Sequence, residues 1–345
     1  MKAMVLEKFG DRLKLQDIEE KQLKPGYVKL KVKACGVCHT DLKIAGGKLP
    51  VCSEIRFPHI LGHEISGRVV ETAGDVNDYK VGDRVVASFY SGCGGCPACE
   101  RGEFSLCDNL EYWAGFREWG GYAEKVVLPA RALVKLPNTV SYEEGSIVPD
   151  AVATAYKAIK RKAGVKSGDN VLIIGAGGVG LHGLQIAKHL QANVIVIDKD
   201  RGHRDKAIEL GADYAIRAEE DELEAVLNEL TPEGKLDSVI DVVGIQASFD
   251  YGTKFLKKGG KYIIVGYRPG SKVSFDPLNI LLEEISILGS RNCSTQDIED
   301  CLQLMAIAQI YPVIDDVVPF EEVNEVHEEL EAGKIMGRAI LRIPE

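Results

Sequence analysis

Between Met1 and about Leu136 the chain alternates apolar and polar residues over short stretches that turns interrupt. YVKLKVKACGV (Tyr27–Val37), ISGRVVETAG (Ile65–Gly74) and DRVVASF (Asp83–Phe89) are such stretches, bounded by Gly, Pro and Asp. Short runs of this kind predict a β-rich region. Near Tyr142 the period changes. Val152–Ala163 has helical spacing, and Asn170–Leu190 reads as an apolar strand, a glycine turn and a helix. Asn193–Asp198 is a second buried strand, and Ala207–Ile216, Ser238–Gly244 and Lys261–Tyr267 continue the alternation. Helices between near-continuous apolar strands predict an α/β fold with a parallel, doubly wound sheet. After Ser290 two helix candidates, Thr295–Ile310 and Phe320–Lys334, precede a closing strand at Arg338–Ile343.

The chain has 345 residues, beyond the ~100–200 of one typical domain, so two domains are expected. With 45% hydrophobic and 27% charged residues it can bury a core, which excludes a disordered chain. The formal net charge is −10 and no Lys/Arg block stands out, which argues against a nucleic-acid partner. No apolar run approaches the ~18–20 residues of a membrane span, and Met1–Lys14 has no apolar signal core. A soluble cytoplasmic protein with no membrane partner is expected.

Nine cysteines, an odd number without a secretory signal, argue against a disulfide framework. Four of them, Cys93, Cys96, Cys99 and Cys107, fall within fifteen residues. Four soft thiolates at this spacing suit a closed tetrahedral Zn²⁺ that holds a loop together and leaves no open position for substrate. An iron–sulfur cluster or free thiols are the alternatives; the bacterial ferredoxin run would need a final x3-C-P, which is missing.

Gly175-Ala176-Gly177-Gly178-Val179-Gly180 fits G-x-G-x-x-G, with the strand VLII before it and a helix after. The glycines allow a tight turn, close approach of backbone to a pyrophosphate, and close helix–strand packing. The helix N-terminus offers free N–H groups to the phosphates. Asp198 ends the next strand, where an acid binds the adenosine ribose hydroxyls and repels a 2′-phosphate, so NAD is favoured over NADP. Lys199 and Arg204 nearby oppose that preference weakly. A glycine turn in a nucleotide-free α/β domain is the competing reading.

Cys38-His39-Thr40-Asp41 and Gly62-His63-Glu64 offer a thiolate and an imidazole in the β-rich region; alone, each is as well read as a buried Cys or a satisfied core His. Taken together, GVCHTD (36–41), LGHEISGRVV (61–70), the four-cysteine loop, GAGGVG (175–180), DVVG (Asp241–Gly244) and IIVGY (Ile263–Tyr267) resemble, in order and spacing, the zinc-dependent medium-chain alcohol dehydrogenase family over nearly the whole chain. The resemblance implies a GroES-like catalytic domain at 1–149 and 292–345, with a structural-zinc lobe at 90–110, and a Rossmann NAD-binding domain at 150–291. It implies a catalytic zinc held by Cys38, His63 and Asp150, where the family often has Cys at the last position. Glu64 is then expected behind the metal or as an exchanging ligand, and Asp41 on the far nitrogen of His63.

On that resemblance zinc acts as a Lewis acid on an alcohol oxygen and NAD takes the hydride. Thr40 is expected to touch the substrate oxygen and start a proton relay, which the family often ends with a His where this chain has Lys43. An unshifted Lys, with a pKa of about 10.4, accepts protons poorly near pH 7. His39, Thr154, Val243, Val265, Gly266, Lys199 and Arg338 are expected at the cofactor. Phe89, Tyr90, Trp113 and Ile287 are expected to line the substrate pocket and favour hydrophobic alcohols. Arg56, Arg117 and Arg291 leave open a ring-hydroxyl acyl-CoA substrate, a polyol is another option, and a catalytically inactive NAD sensor is the non-enzymatic alternative. A homotetramer is expected by analogy.

Overall fold

The structure is a computed structural model that describes residues 1–218, 220–230 and 234–344. The chain forms two compact units: Met1–Ala153 with Asn292–Ala308 and Ile314–Glu345, and Thr154–Arg291 with Gln309–Val313. Asp150–Ala153 therefore pack with the first unit, although the resemblance places them in the second, because Asp150 is bonded to side chains of the first unit. Residues 309–313 join the second unit because Tyr311 exchanges two hydrogen bonds with Gln185, and the Val313 N–H donates to His182 Nε2.

The first unit is built on a seven-stranded sheet. Its spatial order is Leu133–Lys135, Arg84–Ala87, Glu64–Thr72, Tyr27–Val37, Arg338–Arg342 and Ile314–Pro319, with Lys125–Pro129 also pairing on Tyr27–Val37. In Tyr27–Val37 the apolar Val28, Leu30, Val32 and Ala34 are buried while Lys29, Lys31 and Lys33 lie between them, so the period-two pattern sets which face meets the core. The last four residues, Ala34–Val37, are all buried, and the chain passes from them straight into the helix His39–Ala45, whose N-cap is Cys38. The late strand Arg338–Arg342 pairs antiparallel with that same end, Ala339 opposite Val37, which carries Arg338 to the same place.

The expected helix at Val152–Ala163 begins earlier and contains widened turns. Pro149 brings no N–H, the Val152 N–H reaches back five residues to the Ile147 carbonyl at 3.4 Å, and Gly164 ends the helix in the left-handed region. Ser294 caps Thr295–Ala306 by a reciprocal box with Asp297.

The second unit holds a six-stranded, all-parallel sheet in the order Tyr214–Ile216, Asn193–Ile197, Asn170–Ile174, Leu236–Asp241, Leu256–Ile264, Ser286–Gly289. The chain runs outward from Asn170–Ile174 in one direction, then returns to its other side at Leu236–Asp241. That reversal is the switch point at which doubly wound sheets bind ligands, beyond the carboxyl ends of the strands. The glycine turn, Asp198, Val243, Val265 and Gly266 all follow such carboxyl ends. Among the described residues no helix is long and apolar enough to cross a membrane.

Candidate functional site

In the first unit Cys38, His63, Glu64 and Asp150 bring one ligand atom each to within 4.8 Å of one another, and all but the rim of Asp150 is buried. The four arrive from different elements: a helix cap, the residue before a strand, that strand's first residue, and the widened helical turn. Cys38 Sγ lies 3.5 Å and His63 Nε2 3.6 Å from Asp150 Oδ2. A thiolate, an imidazole and a carboxylate are a competent zinc set. The geometry fits a cation for a further reason: Glu64 Oε2 is buried and accepts no hydrogen bond, a costly state for an oxygen unless a positive group answers it. Gly36 makes room for that oxygen, since a Cβ there would overlap it.

Asp41, fully buried, accepts the His63 Nδ1–H at 3.0 Å, which leaves the Nε2 lone pair for a ligand. Arg338 answers the acids. Its Nε donates to Glu64 Oε1 at 2.9 Å, and its Nη2 lies 3.2 Å from Asp150 Oδ2 and 3.6 Å from Cys38 Sγ. The resemblance places Arg338 at the cofactor; here two of its nitrogens serve this cluster. Burial opposes the charge on Glu64, Asp150, His63 and Arg338. It pushes the Glu64 carboxyl up to about 8 despite Arg338. For Asp150 the His63 and Arg338 charges outweigh burial and hold the carboxyl far below its usual range. For His63 burial is likewise outweighed, chiefly by Asp41, so the imidazole's pKa is well above normal. Thr40 and Lys43 are half-buried on the same short helix, His39 is exposed, and burial lowers the Lys43 pKa.

Aromatic rings stand beside His63. Phe89 and Phe116 approach its ring edge-on at 5.0 and 5.3 Å, and Trp113 stacks on Phe116 at 4.5 Å. Phe116 escaped the sequence reading because its segment, AGFRE, carries no periodicity. Tyr90, expected in the pocket, is buried with its hydroxyl on the Cys293 carbonyl. Ile287 lies on a strand of the second unit. Of the arginines considered for an acyl-CoA, Arg56 and Arg291 are exposed, and Arg117 is tied to the Leu110 carbonyl and to Glu54.

The Sγ atoms of Cys93, Cys96, Cys99 and Cys107 also cluster within 4.8 Å. Cys96 caps a short helix, Pro97–Glu100, that turns Cys99 back toward it. A Cβ on Gly92 would overlap Cys99 Sγ, so the loop closes only with glycine there. Hydrogen bonds, first from the Gly95 backbone and then from Cys107, lower the Cys93 thiol to about 7, while burial raises Cys99 to about 12. No disulfide joins the cysteines, and four convergent sulfurs suit zinc.

In the second unit the glycines of the turn divide their work. Gly175 has φ +100°, and a Cβ there would stand 2.7 Å from Val242. A Cβ on Gly180 would overlap the Gly175 carbonyl, while one on Gly177 meets nothing within 4 Å. The open glycine is the one at which a pyrophosphate needs bare backbone. It caps the helix Gly178–His189, whose first N–H groups have no carbonyl within the helix. Asp198 accepts the Ala176 N–H at 2.7 Å and the Asp200 N–H at 2.9 Å, which ties the acid to the turn. Lys199 is exposed, Arg204 bonds the carbonyls of Asp198 and Lys199, and Thr154 is buried. Asp241, unmarked in the sequence reading beyond its motif, accepts the N–H groups of Val243 and Gly244 on its side chain and those of Val265 and Gly266 on its carbonyl.

Residues 24–138 match the alcohol dehydrogenase GroES-like domain family, and residues 178–307 the zinc-binding dehydrogenase family. An alcohol dehydrogenase of Geobacillus stearothermophilus is 35% identical over 347 residues, covering 100% of both chains. An NAD-dependent alcohol dehydrogenase of Sulfolobus acidocaldarius is 35% identical over 99% of this chain and 100% of its own. The crystal structure of AibC superposes with a TM-score of 0.93 at 32% identity, over 100% of this chain and 96% of that one. With this sheet pair, these two cysteine-bearing clusters and these matches, the chain belongs to the zinc-binding alcohol dehydrogenase family with a GroES-like domain.

Proposed function

We propose that the protein is a zinc- and NAD-dependent alcohol dehydrogenase that interconverts a primary or secondary, hydrophobic alcohol and its carbonyl compound. The observation that carries the reading is the convergence of Cys38, His63 and Asp150 beside an aromatic wall. Cys38, His63 and Asp150 would hold a zinc that supplies Lewis acidity, and the glycine turn would hold an NAD that supplies a hydride acceptor. The chain's own residues do the rest. Asp41 fixes the proton of His63 on Nδ1, so Nε2 faces the ligand position. Arg338 balances the charge of Glu64 and Asp150. Phe89, Phe116 and Trp113 keep water away from the polar cluster and give an apolar substrate a surface to lie on. Thr40 is the hydroxyl nearest in sequence to Cys38 and the proposed first proton carrier; the lowered pKa of Lys43 supports it as the next. In the second unit Gly175, Gly177, Gly178, Val179, Gly180 and Asp198, with Thr154, Val243, Val265 and Gly266, form the proposed NAD contacts.

Two zinc ions per chain are proposed, one in each cluster. Elemental analysis of the purified protein is the test, alongside oxidation of a series of alcohols with NAD⁺. Asp150→Ala is expected to lose one zinc and alcohol oxidation together while the four-cysteine zinc stays. A wild-type chain with one zinc, or a variant that keeps both zincs and full activity, overturns the reading.

A further inference from the structure

Tyr122 is completely buried, and its hydroxyl donates to Asp41 Oδ2 at 3.0 Å. The same oxygen accepts the Cys38 N–H at 2.9 Å; the other, Oδ1, accepts His63 Nδ1–H at 3.0 Å and lies 3.3 Å from the Gly62 nitrogen. Four donors thus fix one carboxylate, and Tyr122 supplies the single phenol among them. Its seat is built tightly. The Tyr122 N–H bonds the Leu61 carbonyl at 3.1 Å, its carbonyl accepts the Met4 N–H at 2.9 Å, and the His327 ring lies 6.1 Å from its own. Gly62 is glycine for the same reason: a Cβ there would overlap the Tyr122 ring and stand 2.8 Å from Cys35 Sγ.

A donor on Oδ2 holds the carboxylate in place. It stops rotation that would turn Oδ1 away from His63, and it keeps the Nδ1–H bond, and with it the direction of Nε2, fixed. We infer that Tyr122 is a positioning residue that sets how firmly the Cys38–His63–Asp150 cluster holds zinc, acting through Asp41 and His63 without touching a ligand. The inference rests on the zinc reading above, and the ring's burial means that Tyr122→Phe removes the hydroxyl while keeping the packing.

The test uses the full-length, zinc-loaded protein challenged with a chromogenic chelator, with zinc release followed per chain. Tyr122→Phe is expected to release one of two zincs with about ten- to a hundredfold weaker retention, the range found when outer partners of metal-binding histidines are lost. The four-cysteine zinc is expected to be unaffected, and the visible absorption bands of the cobalt-substituted protein are expected to shift. Asp41→Asn is expected to act in the same direction, and adding Tyr122→Phe to it is expected to do little more, because the hydroxyl acts through that carboxylate. If Tyr122→Phe does not fold, the Asp41→Asn retention decides the relay: wild-type retention there overturns it. Wild-type zinc release and cobalt bands in Tyr122→Phe overturn the inference alone, as does a full additional loss in the Asp41→Asn background. A wild-type chain with zinc at the four cysteines only overturns the functional reading and this inference with it.

Discussion

Replacing Arg338 with Met keeps an unbranched apolar stem and removes the cation that faces three acidic or thiol groups. Arg338 is 4% exposed and Glu64 0%, and their Nε–Oε1 distance is 2.9 Å, so water screens neither. Removing one member of a buried pair leaves the other charged and desolvated, at a cost of about 3–5 kcal/mol, and the comparison is made at about pH 9 so that Glu64, whose carboxyl is pushed up to about 8, is ionised beside Arg338. The same pair on the surface would contribute only about 0–1 kcal/mol. Both tryptophans, Trp113 and Trp119, lie in the first unit, so guanidinium unfolding followed by tryptophan fluorescence reports on that unit. Arg338→Met is expected to lower its unfolding free energy by about 3–5 kcal/mol. In the Glu64→Gln background the loss is expected to shrink by at least about 1 kcal/mol, since the orphaned charge is then gone. A loss of less than about 1 kcal/mol in the wild-type background, or additive single-variant losses, refutes the claim that Arg338 compensates these buried acids.

Gly177→Ala is expected to keep wild-type stability, because its Cβ meets open space, and to raise the KM for NAD⁺ at least about tenfold by standing where the pyrophosphate approaches. Gly175→Ala, at φ +100° and 2.7 Å from Val242, is expected instead to destabilise the second unit; circular-dichroism melts and NADH titrations separate the two outcomes. His59 is buried, donates from Nε2 to the Gly115 carbonyl at 3.2 Å, and burial depresses its pKa to about 4. The unfolded chain therefore binds the extra proton first. Stability from this group is full above about pH 6.5 and falls by about 3 kcal/mol as pH drops toward 4. His59→Asn is expected to flatten that acid limb in pH-dependent unfolding. Cys99→Ser is expected to release one zinc per chain and to raise proteolysis between residues 90 and 110 while the cobalt spectrum of the other site stays; unchanged zinc content refutes it.

What the sequence made legible is what is local. The four cysteines are close along the chain and need only one short helix and a bare Gly92 to converge, so their spacing alone pointed to the cluster. The glycine turn is equally local, and its strand, helix and acid lie within one βαβ unit. The other cluster was reached only by resemblance, since its residues arrive from a cap, a strand edge and a helical turn with no common period. Arg338 shows where pattern reasoning stops. Its pairing with Glu64 follows from strand register, Ala339 opposite Val37, which no local signal carries. Tyr122 and Phe116 were invisible for a related reason: each sits in an irregular segment whose place is decided by what packs on it. The domain boundary moved past Asp150 because a side chain's bonds, rather than a change in hydrophobic period, decided where the turn belongs.

The strand that carries Arg338 lies between Tyr27–Val37 and Ile314–Pro319, which gives synthesis on the ribosome a particular order of events. Cys38, His63, Glu64 and Asp150 emerge long before the guanidinium that neutralises them, so the nascent chain must hold its acids open to water, or protonated, while the whole intervening α/β unit is translated. Arrival of the strand that carries Arg338 is then the step that lets the buried cluster close, and a ribosome stalled short of residue 338 would carry an unclosed centre.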